Sequence, residues 1–265
     1  MIQNHEIDYR IVGEEMQYVE IELDYNETAI AEPGSFMMMN DGIVMETMFG
    51  DGSKQQNDSL LGKLLNAGKR VLVGESLFMT AFTNINQGKR RVSFASPYPG
   101  KIIPLDLSQL ANNVVCQKDA FLCAAKGVSI GIEFQRKLGT GLFGGEGFIM
   151  ERLQGDGMAF LHAGGHVFKQ QLSAGELLKI DTGCIVGFTA DVQYDIQFVG
   201  GIKNTLFGGE GLFFATLTGP GTVWIQTLPI SRLAGRILQY STTVRKEEGS
   251  ILGGIGNLLD GDGKW

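Results

Sequence analysis

At 265 residues the chain has room for one large domain or two of ordinary size, and its 43% hydrophobic and 19% charged residues exclude a disordered polypeptide. The net charge of −7 speaks against nonspecific nucleic-acid binding, which requires lysine and arginine facing phosphates. Thirty-eight glycines, spread along the sequence, suit a protein with many tight turns.

Met1 to Glu6 carry no basic region followed by an apolar core, so nothing marks secretion and a cytoplasmic protein is expected. From 7 to 25 apolar residues alternate (Ile7, Tyr9, Ile11, then Val19, Ile21, Leu23), which predicts two strands around a turn at Val12-Gly13-Glu14-Glu15. Pro33-Gly34 turns the chain into a strand at Phe36-Met37-Met38-Met39, and another follows through Val44, Met45, Met48 and Phe49. Residues 51–57 are polar. Within 58–68, Leu60, Leu61, Leu64 and Leu65 share one helical face, with Asp58 or Ser59 to cap its start and Gly68 its end. Lys89-Arg90-Arg91 is a tight basic cluster on a predicted turn. Cys116, Cys123 and Cys184 lie in apolar, strand-like runs without C-x-x-C spacing, the setting of free buried thiols. Residues 241–265 form a tail whose stretch from Ile251 to Leu259 is apolar and broken by glycine. No run reaches the ~18 apolar residues of a membrane span.

One motif recurs along this course. Leu142-Phe143-Gly144-Gly145-Glu146-Gly147-Phe148 returns as Leu206-Phe207-Gly208-Gly209-Glu210-Gly211-Leu212, and Val73-Gly74-Glu75-Ser76-Leu77 is a worn third version. After each glutamate come a short apolar strand, an anchor (Phe82, Leu153 or Leu217), a turn, and a return strand alternating as Val92/Phe94, Ala159/Leu161 and Val223/Ile225. These read as three hairpins of one design. The expected fold is all-β: three tandem β-sandwich repeats with pseudo-threefold symmetry. Their bounds are 1–102 with a helical insert at 58–68, 103–170 and 167–238, followed by a tail at 239–265.

The string Pro97-Tyr98-Pro99-Gly100-Lys101-Ile102-Ile103-Pro104-Leu105-Asp106-Leu107 is the most specific part of a wider likeness. With Gly74-Glu75-Ser76-Leu77-Phe78, the two Phe-Gly-Gly-Glu-Gly repeats and Gly256-Asn257-Leu258-Leu259, it resembles the bacterial branch of the altered inheritance of mitochondria family over nearly the whole chain. The resemblance implies a fold similar to the tryptophan RNA-binding attenuator protein, related to the double-stranded β-helix and present as a threefold duplication. A mitochondrial relative is tied to inner-membrane organisation and respiratory-complex upkeep. The resemblance carries over no catalytic residues.

Glu75, Glu146 and Glu210 stand among glycines that free the backbone to turn (Gly74, Gly144, Gly145, Gly147, Gly208, Gly209 and Gly211). A carboxylate there accepts neighbouring N–H groups and locks a corner; the alternatives are a shared cation or ligand, and acid/base catalysis. His162 and His166 have H-x-x-x-H spacing, but Ala163-Gly164-Gly165 between them breaks the helix on which that spacing binds zinc. They are weak metal candidates, and no cofactor is expected. Lys89-Arg90-Arg91 has no counterpart in the turns Gln154-Gly155-Asp156-Gly157 and Thr218-Gly219-Pro220-Gly221, so it reads as a solvated tip and nucleic acid is not favoured as a partner. No P-loop, helix-opening G-x-G-x-x-G or G-x-S-x-G occurs.

What remains is a non-enzymatic scaffold or interaction protein, self-assembled into a closed ring with a homotrimer expected. Leu60, Leu61, Leu64, Leu65, Leu258 and Leu259 either cover sheet edges or meet a protein partner or membrane surface, which would make the protein peripheral to the membrane or to a respiratory complex. The alternative is a small-ligand binder with pockets at repeat or subunit interfaces lined by Phe78, Phe143 and Phe207. A metal-dependent enzyme using His162 and His166 is the third reading.

Overall fold

The structure, a computed structural model, describes residues 6–49, 78–136, 148–199, 212–238 and 240. The helix predicted at 58–68, the three glutamate motifs, Phe143, Phe207 and the tail with Leu258 and Leu259 lie outside the described residues.

The chain is all-β. Among the described residues β1 (Asp8–Val12) comes first, and three series of six strands follow. The first is β2 (Tyr18–Leu23), β3 (Thr28–Ala31), β4 (Phe36–Met39), β5 (Ile43–Phe49), β6 (Phe78–Asn84) and β7 (Arg90–Ala95). The second is β8 (Gly100–Asp106), β9 (Asn113–Gln117), β10 (Phe121–Ala125), β11 (Ser129–Arg136), β12 (Phe148–Gln154) and β13 (Met158–Gly164). The third is β14 (Val167–Leu172), β15 (Leu177–Asp181), β16 (Ile185–Thr189), β17 (Gln193–Val199), β18 (Leu212–Thr218) and β19 (Gly221–Gln226).

Within each series the first strand pairs with the sixth and the sixth with the third, while the second pairs with the fifth and the fifth with the fourth, all antiparallel. Halves of successive series then join. β3 meets β10 and β9 meets β16, giving two six-stranded sheets, β5-β6-β3-β10-β13-β8 and β11-β12-β9-β16-β19-β14. The outer halves stay separate as β1-β2-β7-β4 and β15-β18-β17. A register shift falls at one place in all three series: between Phe36 and Met38, Phe121 and Cys123, and Ile185 and Gly187.

The turns read as hairpin tips join strands that do not pair, which corrects that expectation. β6 and β7, β12 and β13, and β18 and β19 belong to different sheets, so each turn carries the chain from one layer to the next. Both flanking strands alternate because both bury one face in the same interlayer core. Phe82 shares a cluster with Val92 and Phe94, Leu153 with Ala159 and Leu161, and Leu217 with Val223 and Ile225. Alternation reports a buried face, not which strand lies alongside. Sequence neighbours that do pair antiparallel include β5 with β6, β11 with β12 and β17 with β18.

These clusters are the core. Phe82, Phe94, Phe121, Phe148, Phe160 and Phe188 are all almost fully buried, and each contributes roughly 2–3 kcal/mol by leaving water. After β19 a short helix, α1 (230–238), starts behind Pro229, whose carbonyl accepts from the N–H groups of Arg232 (3.0 Å) and Leu233 (3.2 Å). Arg232 pairs with Asp181 at 3.2 Å, which ties the helix to the end of β15.

Candidate functional site: a carboxyl pair and two exposed strand edges

Glu151, in the middle of β12, is 2% exposed, and its Oε2 has no hydrogen-bond partner. Across the ladder it faces Cys116 of β9; the corresponding pairs in the other series are Thr80 with Ala31 and Ala215 with Ile180. An ionisable group thus stands where its counterparts are a hydroxyl and a methyl. Burial, then the charge of Glu32 just beyond β3, raises the Glu151 carboxyl to about 8 against the opposing pull of Lys118. Burial, then Asp119, raises Glu32 to about 7. Lys118 and Asp119 sit on the single 3-10 turn Lys118–Ala120 that leads into β10. Burial, then Glu151 and Glu32, pushes the Cys116 thiol well up, so it stays protonated and unreactive.

His162 is packed into the same neighbourhood. It is 2% exposed, meets the Tyr98 ring edge-on at 4.9 Å and hydrogen-bonds the Asp119 backbone. Burial drops its pKa to about 4, so the ring is neutral at physiological pH. Its Nδ1 has no partner. Gln226, at the same register in the third series, explains why. Gln226 Nε2 donates to the Gly183 carbonyl (2.9 Å), as His162 does toward Asp119, and its Oε1 accepts from the Gly164 N–H (2.8 Å). One series earlier, the place of Gly164 falls to Pro97, which has no N–H to give. His162 is therefore a strut between β13 and the 3-10 turn. His166, by contrast, is exposed. The H-x-x-x-H pair is divided between core and solvent, and no group of three or more His, Cys, Asp or Glu among the described residues could hold a metal ion.

The basic cluster is answered on its own sheet. Lys89 pairs with Asp8 (3.1 Å) and Glu22 (2.8 Å), and Arg91 with Glu22 (2.9 Å) and Glu20 (3.5 Å). Arg90 donates to the Asp41 carbonyl. Hydrogen bonds from Lys89 and Arg91 hold the Glu22 carboxyl below its usual range.

Two of the strands in joint positions stand apart by exposure. β3, β9, β10 and β16, which form the joints between series, are almost wholly buried. β4 and β15 occupy matching places, pair on one side only among the described residues, and leave Met38 44%, Met39 37% and Leu177 65% exposed. Of the phenylalanines expected to line a pocket, Phe78 alone is described; it is exposed at the start of β6.

The sequence was compared with known families and structures. A family model described as Mitochondrial biogenesis AIM24 matches residues 9–228, from β1 to just past β19. The chain belongs to the AIM24 family. An uncharacterised protein of Streptococcus pyogenes serotype M6 is 29% identical over 238 residues, covering 88% of this chain and 90% of that relative. A crystal structure of another Streptococcus pyogenes protein matches with a TM-score of 0.68 at 24% identity, over 88% of this chain and 99% of its own, and shows the shared fold. The AIM24 match stops before α1, so the helix lies outside it. Among the described residues no helix is long and apolar enough to cross a membrane.

Glu32 and Glu151 were missed by sequence reasoning. The available signal was a single acid inside the apolar run Phe148-Ile149-Met150-Glu151. α1 was missed as well, although Pro229 followed by Ile230, Leu233 and Ile237 has helical spacing.

Proposed function

We propose that this AIM24-family protein is a non-enzymatic, homo-oligomeric scaffold built from three copies of one attenuator-like β module. The observation that supports it is the recurrence of a single pairing order through β2–β7, β8–β13 and β14–β19, with the register shift at the same step each time. A chain organised this way devotes its buried apolar surface to joining one module to the next. Glu151 and His162 are each 2% exposed and out of reach of a substrate in solution. The family's description, mitochondrial biogenesis, suits a protein that organises others, working in the cytoplasm or at a membrane surface. Size-exclusion chromatography with light scattering across micromolar concentrations tests the reading. The expected result is one species whose mass is an integral multiple of the 28.8 kDa chain, with a trimer first in line. A 28.8 kDa monomer at every concentration would overturn it.

A further inference from the structure

We infer that β4 of one chain pairs with β15 of a second copy, antiparallel and in the register Met38↔Ile180, Met39↔Lys179 and Asn40↔Leu178, making a third joint of the kind the chain already makes twice within itself. The inference rests on the homo-oligomeric reading and adds to it the surface and the register.

The two internal joints fix the geometry. The β3–β10 joint aligns Ala31 with Cys123, Ile30 with Ala124 and Ala29 with Ala125. The β9–β16 joint aligns Cys116 with Gly187, Val115 with Phe188 and Val114 with Thr189. The ladder on the inner side of each strand says which residues correspond. Cys123, Gly187 and Met38 are each the first paired residue after the register shift, opposite Phe160, Trp224 and Ser93. Ala31, Cys116 and Ile180 lie opposite Thr80, Glu151 and Ala215. Carrying the first two joints onto the third pair of strands gives the stated register with no free choice.

Burial and composition point the same way. At the internal joints Cys123 and Ala124 are 0% exposed, while their counterparts Met38 and Met39 on β4 are 44% and 37% exposed; Ile180, the counterpart of Ala31 and Cys116, is 8% exposed. β4 reads Phe-Met-Met-Met, an edge without charge or proline, which soluble proteins ordinarily avoid leaving open. Among the described residues of one chain β4 pairs only with β7, and β15 only with β18. Among the described residues each chain offers one strand of each type and does not pair the two with each other. The contact is therefore head-to-tail, and it yields a ring where the rotation closes.

Disulfide trapping tests the register, with Cys184→Ser as background because Cys116 and Cys123 are buried. Chains carrying Met38→Cys are mixed with chains carrying Ile180→Cys, and Met39→Cys chains with Lys179→Cys chains, then mildly oxidised. Successive antiparallel pairs alternate between wide and close spacing, so at least one matched mixture places its thiols within bonding reach. The expected product is a covalent dimer, mapped by mass spectrometry to the matched cysteines. The mismatched mixture of Met39→Cys with Ile180→Cys puts the thiols on opposite sheet faces and should yield roughly tenfold less. Equal yield from the mismatched mixture would overturn the register. A chain carrying both Met38→Cys and Ile180→Cys that forms only an internal disulfide would overturn the second copy as occupant. If light scattering shows an oligomer and neither matched mixture cross-links, the edge pairing fails and the scaffold reading stands; if the unmodified chain is monomeric, both fail. Circular dichroism of each variant confirms that it is folded before mixing.

Discussion

Replacing Glu151 by glutamine keeps the side chain's shape and removes its charge. Glu32 and Glu151 both bind a proton more tightly in the folded protein, at about 7 and about 8, than at the ordinary carboxyl value of 4.5. The sign follows. Their stabilising protonation is complete below about pH 4.5 and is lost as pH rises through the folded values. His162 works oppositely and lower down: its pKa falls from 6.5 to about 4, so it adds stability as pH rises toward 6.5. Above that point the carboxyls are read alone. From there to about pH 9 the loss is about 3 kcal/mol, of which about 2 belongs to Glu151 and about 1 to Glu32. For a chain of this size that lowers Tm by roughly 6–12 °C. The groups facing Glu151 are Cys116 from β9, Lys118 and Asp119 from the 3-10 turn and Glu32 from the end of β3; none of them is altered in the variant. Thermal unfolding followed by circular dichroism should show the fall shrinking to about a third in Glu151→Gln, with the variant the more stable protein at the alkaline end. Identical pH profiles for both proteins would refute the reasoning, since they would mean that Glu151 is hydrated and titrates normally.

Two further predictions concern the struts and close approaches. His162→Gln should unfold in urea within about 1 kcal/mol of the parent, because Gln226 already fills that role in the next series, whereas His162→Ala should lose about 1–3 kcal/mol with its hydrogen bond and packing. Gly164→Ala should cost more than about 3 kcal/mol, or prevent folding, because the added Cβ would collide with the Leu228 carbonyl oxygen, a backbone atom that has nowhere to go; soluble yield and urea midpoint report both outcomes.

The all-β class was legible because period-two alternation survives on a half-buried strand, and the anchors Phe82, Leu153 and Leu217 are indeed buried. The partner of each strand was not legible. A strand crossing to the opposite layer buries the same alternate residues as one folding back beside its neighbour, so the cross-layer turns looked like hairpins. β8 begins at Gly100, directly after Pro97-Tyr98-Pro99. Lys89 and Arg91 are exposed as a solvated tip would be, but their partners Asp8, Glu20 and Glu22 are far away in sequence and were not legible. The carboxyls were hidden similarly, since only the 3-10 turn after β9 brings Glu32, Asp119 and Glu151 within each other's field. The joints β3–β10 and β9–β16 left no mark at all, because Ala, Val and Cys runs look the same in any buried strand.

Hydrogen exchange followed by mass spectrometry tests the central claim most directly, on the unmodified protein and with no variant to misfold. Peptides covering Phe36–Met39 and Leu177–Asp181 should be as slow to exchange as those covering Thr28–Ala31 and Phe121–Ala125, and should speed up together on dilution below the assembly concentration. Fast exchange at both edges at every concentration, with the internal joints still protected, would contradict it.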